Sequence, residues 1–176
     1  RKRGIFFLYV SSNAVFDGTH APYSEDSPPH ALNRYGQFKI EAEQWVQQSG
    51  LSYLIVRPIL LYGWPLPGGR NNVVTRWLES LEKGETLSVA EELTSMPMAA
   101  SDCAAAIWRA LEVGCKGILH CAGPERISLV EFAQRTARIF GYSPQQVISV
   151  PSSHLRLAAA RPQDTSFVLN RLKFEL

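Results

Sequence analysis

Residues 4–12 read "GIFFLYVSS" and residues 51–63 read "LSYLIVRPILLYG". Each is a continuous apolar run rich in β-branched and aromatic residues, and the first ends in two small hydroxyl side chains. A strand that is apolar on both faces needs cover on both, so these runs predict strands in the middle of a covered parallel sheet. Between them, "NRYGQFKIEAEQWVQQSG" (33–50) predicts a helix with apolar positions at Phe38, Ala42, Trp45 and Val46, stopped by Gly50. Strand, helix, strand is the repeating unit of an α/β fold.

The alternation continues along the chain. The second strand is broken at Pro58, and the segment from Asn71 to Lys83 has helical spacing at Val73, Val74, Trp77, Leu78 and Leu81. "GETLSV" (84–89) predicts a short strand, and a helix is expected over 101–112 with Ser101 as its cap and Asp102 in its first turn. "GILHCAG" (117–123) predicts a strand. "SLVEFAQRTARIFG" (128–141) predicts a helix with Glu131 in capping-box position relative to Ser128, and "QVISVP" (146–151) a last strand. The stretch "DGTHAPYSEDSPPHAL" (17–32) is too irregular for either element, and ordered loops of this kind usually edge a functional site.

Composition narrows the function classes. A chain of 176 residues with 45% apolar content is one domain with a real core. Eighteen lysines and arginines against 16 acids give a net charge of +2, too small to argue for nucleic acid or an anionic membrane as partner, and the basic start "RKR" is only three residues long. Cys103, Cys115 and Cys121 form no close pair and read as reduced thiols of a cytoplasmic protein. The four histidines lack ligand spacing, so no metal site is expected. No apolar run approaches the roughly 18 residues of a membrane span, and the first apolar stretch has no cleavage region behind it.

"NRYGQFK" (33–39) raises a chemical question, because Tyr35 and Lys39 stand four apart and project from one helix face. A tyrosine hydroxyl, with a reference pKa of about 10, is a poor proton donor near neutrality, and a neighbouring ammonium favours its phenolate. Ser11 and Ser12 end the first strand at the carboxyl edge, where open α/β sheets place ligands. A serine hydroxyl there can hold a substrate oxygen beside the tyrosine. Tyrosine and lysine at this spacing are common by chance; the preceding strand with two serines and the turn-rich loop make the set distinctive.

The stretches "YVSSNAVFDGTHAPYSEDSPPHALNRYGQFKIEAEQ", "LIVRPILLYG", "GILHCAG" and "ARPQDTSF" together resemble the extended short-chain dehydrogenase/reductases, and within them the dTDP-4-dehydrorhamnose reductase branch. The resemblance spans nearly the whole chain. It implies an NAD(P)-binding Rossmann fold with a doubly wound, mainly parallel sheet, and a catalytic set of Ser12, Tyr35 and Lys39. In that set Tyr35 protonates the substrate carbonyl oxygen, Lys39 binds the nicotinamide ribose, and Ser12 holds the reacting oxygen. By the same resemblance Ser11, Tyr35, Lys39, Arg57, Pro58 and Ile59 belong to the cofactor, NADPH or NADH. Ser12, Asn13, Ala14, Leu60 and Arg161 belong to the substrate, a nucleotide sugar. A homodimer is also admitted, and the non-catalytic regulatory subunits of methionine adenosyltransferase share the pattern, so a regulatory protein is the alternative to a reductase.

Departures from the branch matter. Asn13 and Ala14 replace an acid and a tyrosine, and Leu60 stands where the rhamnose enzymes carry a tryptophan. Family members open with a strand, a glycine-rich G-x-x-G-x-x-G turn and a helix that bind the cofactor pyrophosphate. This chain has no such stretch; Gly68 and Gly69 follow a proline loop. The expectation is a fragment without the first half of the doubly wound sheet. Residues 1–63 then form the C-terminal half of the Rossmann core, and residues 64–176 a mixed substrate-binding region. That region returns a core helix (about 101–114) and a strand (about 117–121).

Overall fold

A computed structural model describes residues 5–155 and 159–176; the basic start Arg1–Arg3 and Gly4 of the predicted first strand lie outside the described residues. In chain order the first part runs β1 (Phe6–Val10), α1 (Arg34–Gln48), β2 (Ser52–Pro58), β3 (Leu61–Tyr62) and α2 (Val73–Glu82). Then come β4 (Leu87–Ala90), β5 (Thr94–Ser95), β6 (Met98–Ala99), α3 (Ala100–Glu112) and β7 (Gly117–Cys121). The chain closes with β8 (Ile127–Ser128), α4 (Leu129–Ile139), β9 (Val147–Val150) and α5 (Asn170–Glu175). No described helix is long and apolar enough to cross a membrane.

β1, β2 and β7 form a parallel three-stranded sheet in that order, with Tyr9 opposite Ile55 and Ile55 opposite Ile118. β2 is the central strand, and its Leu54, Ile55 and Val56 are wholly buried, as an apolar run flanked on both sides requires. β1 lies at one side of the described sheet. Within this chain it is an edge, and Phe6, Phe7 and Val10 are exposed. α3 covers the sheet through Cys103 and Ala110, which pack with Leu54, Val56, Leu119 and Cys121. All three cysteines are unpaired and buried.

The other strands do not extend this sheet. β4 pairs in parallel with β9, and Leu81 of α2 and Ala133 and Ala137 of α4 close a separate core over Leu87, Val89 and Val147. β3 pairs with β6 in parallel and β5 with β8 antiparallel, each over two residues. The predicted break at Pro58 is thus a change of sheet: the chain leaves β2 and enters β3.

Three local expectations need correction. α1 does not bury its apolar stripe: Phe38 is 57% and Trp45 79% exposed, while Gly36 and Glu43 face inward. The reason is an ion pair, described below, that makes a glutamate the inward residue. α3 begins one residue before Ser101, with Ala99 at the cap position and no side-chain cap; the Ser101 hydroxyl donates to Asp102 instead. Ser128 does cap α4, accepting from the Glu131 N–H at 3.1 Å, but the Glu131 carboxylate turns to Arg135 and leaves the box half made.

Candidate active site

β1 delivers Ser11 and Ser12 to the carboxyl edge of the sheet, and a single 3-10 turn (Asn13–Val15) follows. Ser12 caps that turn: its Oγ accepts from the Ala14 N–H at 3.2 Å and donates to Asn13 Oδ1 at 3.3 Å. The Asn13 amide in turn donates to the Thr165 hydroxyl at 2.5 Å, tying the turn to the C-terminal segment. The start of α1 lies against the same turn. Asn33 caps the helix by accepting from the Gly36 N–H at 3.0 Å, and its amide donates to the Ala160 carbonyl at 3.0 Å.

Gly36, between Tyr35 and Lys39, makes this close approach sterically feasible. A Cβ there would lie 2.0 Å from the Ala14 carbonyl oxygen and 2.7 Å from the Ala31 Cβ, so only glycine allows the helix this near. The helix then places Lys39 against the end of β1, while Tyr35 is 56% exposed. Lys39 Nζ donates to the Val10 carbonyl at 3.0 Å, 4.9 Å from the Tyr9 ring centroid and 5.8 Å from that of Tyr35.

Of the sequence-predicted residues, Ser12, Asn13, Ala14, Tyr35, Leu60 and Arg161 line one cavity of about 330 Å³. Leu60 reaches it with a φ of +30°, a conformation that a non-glycine residue adopts at a cost of order 1–3 kcal/mol. The predicted cofactor residues behave differently. Ser11, Lys39, Arg57, Pro58 and Ile59 are not part of the lining: Ser11, Arg57 and Ile59 are buried, and Lys39 and Pro58 are half-buried. Ser11 Oγ is buried without a hydrogen-bond partner among the described residues, and the Ile59 N–H is engaged by the Cys121 carbonyl at 3.2 Å.

Asn33, Thr94, Ser95 and Thr165 add polar groups to the cavity wall that residue patterns did not single out. Asn33 carried a signal as the helix cap within "NRYGQFK", and Thr165 sits in "ARPQDTSF". Thr94 and Ser95 arrive through β5, which has no local signature. Their strand is held by Thr94, which bridges to Asp164, and by the Thr94 N–H, which donates to the Gln163 carbonyl at 2.8 Å. Burial raises the Asp164 carboxyl, but hydrogen bonds from the Ser166 N–H and the Arg126 guanidinium outweigh it and leave the group below the usual carboxylate range.

Arg57 belongs to a buried ionic group. Arg57 of β2 donates to Glu43 of α1 through Nε at 3.0 Å and Nη2 at 2.6 Å, a two-point pair in which both residues are almost fully buried. The guanidinium lies 5.2 Å from the Phe16 ring centroid and 3.3 Å, through Nη1, from His120 Nε2 on β7. Because arginine can only donate, Nε2 must accept, which puts the imidazole proton on Nδ1. Burial and the Arg57 charge hold His120 neutral, with its pKa pushed down to about 3. Four segments are thereby clamped: α1 with Tyr35, β2 leading to Leu60, β7, and the turn after Ser12. No described group of three or more histidine, cysteine or acidic side chains could hold a metal ion.

A family profile described as the RmlD substrate binding domain matches residues 1–176. The chain belongs to this family. The RmlD-type chain is 30% identical over 183 residues to methionine adenosyltransferase 2 subunit beta of Bos taurus, covering 97% of this chain and 52% of that protein. It is 27% identical over 178 residues to the probable low-salt glycan biosynthesis reductase Agl14 of Haloferax volcanii, over 99% of this chain and 59% of that protein. Among solved structures, dTDP-4-dehydrorhamnose reductase of Bacillus anthracis in complex with NADP matches with a TM-score of 0.88 at 28% identity, covering 96% of this chain and 58% of that one. These matches place the mainly parallel α/β fold among the extended short-chain dehydrogenase/reductases. The chain spans about half the length of the curated relatives it matches.

Proposed function

We propose that this chain is the catalytic and substrate-binding part of an NAD(P)-dependent sugar-nucleotide reductase that reduces the 4-keto group of a dTDP-deoxysugar. The observation that carries the reading is the meeting of Ser12 and Tyr35 on one cavity, with Lys39 held one helical turn behind by the Val10 carbonyl. On this reading residues 1–63 are the C-terminal half of the dinucleotide-binding core and residues 64–176 the substrate region. The protein works in the cytoplasm, with a second copy of itself as a candidate partner.

The residues present fit the nicotinamide end of the cofactor. Ser11 offers a buried hydroxyl without a partner among the described residues, Lys39 offers a cation beside Tyr35, and the backbone from Arg57 to Ile59 leads from the sheet edge toward the cavity. No glycine-rich strand-turn-helix stretch that could cradle the pyrophosphate occurs in this sequence. When bound, the cofactor supplies hydride to the carbonyl carbon. Tyr35 donates its proton to the carbonyl oxygen, and the Lys39 ammonium offsets the negative charge left on the phenol. Ser12 exchanges its long bond to Asn13 for one to the same oxygen, and Asn13, Ala14, Leu60 and Arg161 contact the sugar nucleotide.

A second reading, a non-catalytic regulatory subunit on this fold, is supported by the likeness to methionine adenosyltransferase 2 subunit beta and by the changed substrate-side residues Asn13, Ala14 and Leu60. Replacing Tyr35 by Phe in the full-length protein tests the reductase reading. Turnover of a keto-sugar nucleotide should fall by about 10²–10⁴-fold with cofactor affinity near wild type. Unchanged turnover would sink the assignment of Tyr35, and stable association with a larger enzyme without any turnover would favour the regulatory reading.

A further inference from the structure

The molecule carries a second concave surface that shares no lining residue with the cavity at Tyr35. α4 connects the two: Leu129 at its start lines the cavity, and Ile139 at its end lines the second surface. Phe132, one turn after Leu129 on the same helix, also lines the second surface, so the two sites are neighbours along α4. The surface is built where the loop after β3 folds over α2, and its "WPLP" sequence (64–67) restricts the backbone through two prolines.

Two hollows meet there, sharing Trp64, Thr75 and Phe140. One, of about 340 Å³, adds Tyr142 and the carboxylates of Glu79 and Glu82. The other, of about 370 Å³, adds Tyr62, Val74, Phe132 and Ile139 and is almost wholly apolar. The Trp64 and Phe140 rings stand 5.9 Å apart at 86°, two aromatic walls set at a right angle. Trp64 is 75% exposed, and Leu66, Ile139 and Phe140 beside it are exposed as well. A monomer gains nothing in stability from leaving such side chains in water, and contiguous patches of this kind mark interaction surfaces.

The chemistry of the first hollow selects a cation. Aromatic faces attract an ammonium or guanidinium through the ring quadrupole, most strongly at tryptophan, and carboxylates add the opposite charge. Among the described residues neither Glu79 nor Glu82 is paired with a lysine or arginine. Glu79 accepts from the Asn71 amide at 2.5 Å. The second hollow selects an apolar group. Both lie open and side by side, which suits adjacent residues of an extended chain better than one small amine. We propose that this double groove binds a partner protein through a segment carrying a lysine or arginine next to a large apolar residue. The site is independent of the reductase reading.

The test is a titration of the isotope-labelled full-length protein, followed by NMR, with a capped synthetic peptide holding two leucine–lysine pairs between glycine and serine. Two control peptides carry glutamate for lysine or serine for leucine. The Trp64 indole signal, identified by its loss in Trp64→Phe, should move on adding the basic peptide and stay put with both controls. Trp64→Ala and Glu82→Lys should each weaken the basic peptide about tenfold, and spectra of the unbound variants verify that the fold is kept. The proposal is overturned if the indole does not move at millimolar peptide, or if the glutamate control binds as well. It is equally overturned if the chain dimerises through this groove and Trp64→Ala restores the monomer, since the occupant would then be a second copy.

Discussion

Replacing Glu43 by Gln leaves the protein's shape nearly unchanged and removes one charge from its interior. Arg57 and Glu43 are 1% and 2% exposed, so the guanidinium would remain buried with no counter-ion while still touching Phe16 and His120. Two bonds to a carboxylate, at 2.6 and 3.0 Å, become one bond to an amide oxygen and a clash between donors. Breaking a buried pair by removing one partner costs about 3–5 kcal/mol, because the remaining charge keeps its desolvation penalty. For a chain of this size that corresponds to a fall in Tm of about 6–20 °C. Urea unfolding followed by circular dichroism measures it directly. A double variant, Glu43→Leu with Arg57→Met, should recover most of the loss, since well-packed apolar residues often replace such a pair without cost. A single-variant loss below about 1 kcal/mol would refute the reasoning, because it would mean that water or a rearranged Arg57 already solvates the charge.

His120 makes stability depend on pH with a definite sign. Its folded pKa, about 3, lies below the ordinary 6.5, so between those values the unfolded chain binds a proton that the folded chain does not. Its contribution is complete above 6.5 and declines as pH falls, by up to about 1.4 kcal/mol per pH unit, toward pH 3. His120→Gln, which can still accept from Arg57, should flatten the slope of unfolding free energy against pH by close to one proton; identical slopes would count against a buried neutral imidazole. Gly36→Ala tests the close approach of α1. At an exposed helical site this change would stabilise by up to about 1 kcal/mol, but here the added Cβ would fall 2.0 Å from a carbonyl oxygen, so a loss of about 1–3 kcal/mol is expected in denaturant melts. A gain instead would show that the helix can move away at little cost.

The sequence by itself determined the elements whose causes are local. "LSYLIV" supplies the wholly buried Leu54, Ile55 and Val56 of a central strand, and Ser128 and Pro58 mark boundaries through capping or a missing N–H, effects that act within a turn or two. Tyr35 and Lys39 were legible for the same reason, since helix geometry alone puts i and i+4 on one face. What only the tertiary structure decided depends on partners far along the chain. The inward face of α1 could not be read from its apolar residues, because Glu43 is buried by Arg57, fourteen residues away, and by a histidine on another strand. Thr94, Ser95 and Thr165 reach the cavity through two-residue pairings and a bridge to Asp164, which leave no periodic trace. The groove at Trp64 likewise exists only because the end of α4 comes to lie beside a proline-stiffened loop. Local physics marks the longer strands and helices; the two-residue strands, the charges that face inward and the side chains that meet are fixed by long-range packing that no short window contains.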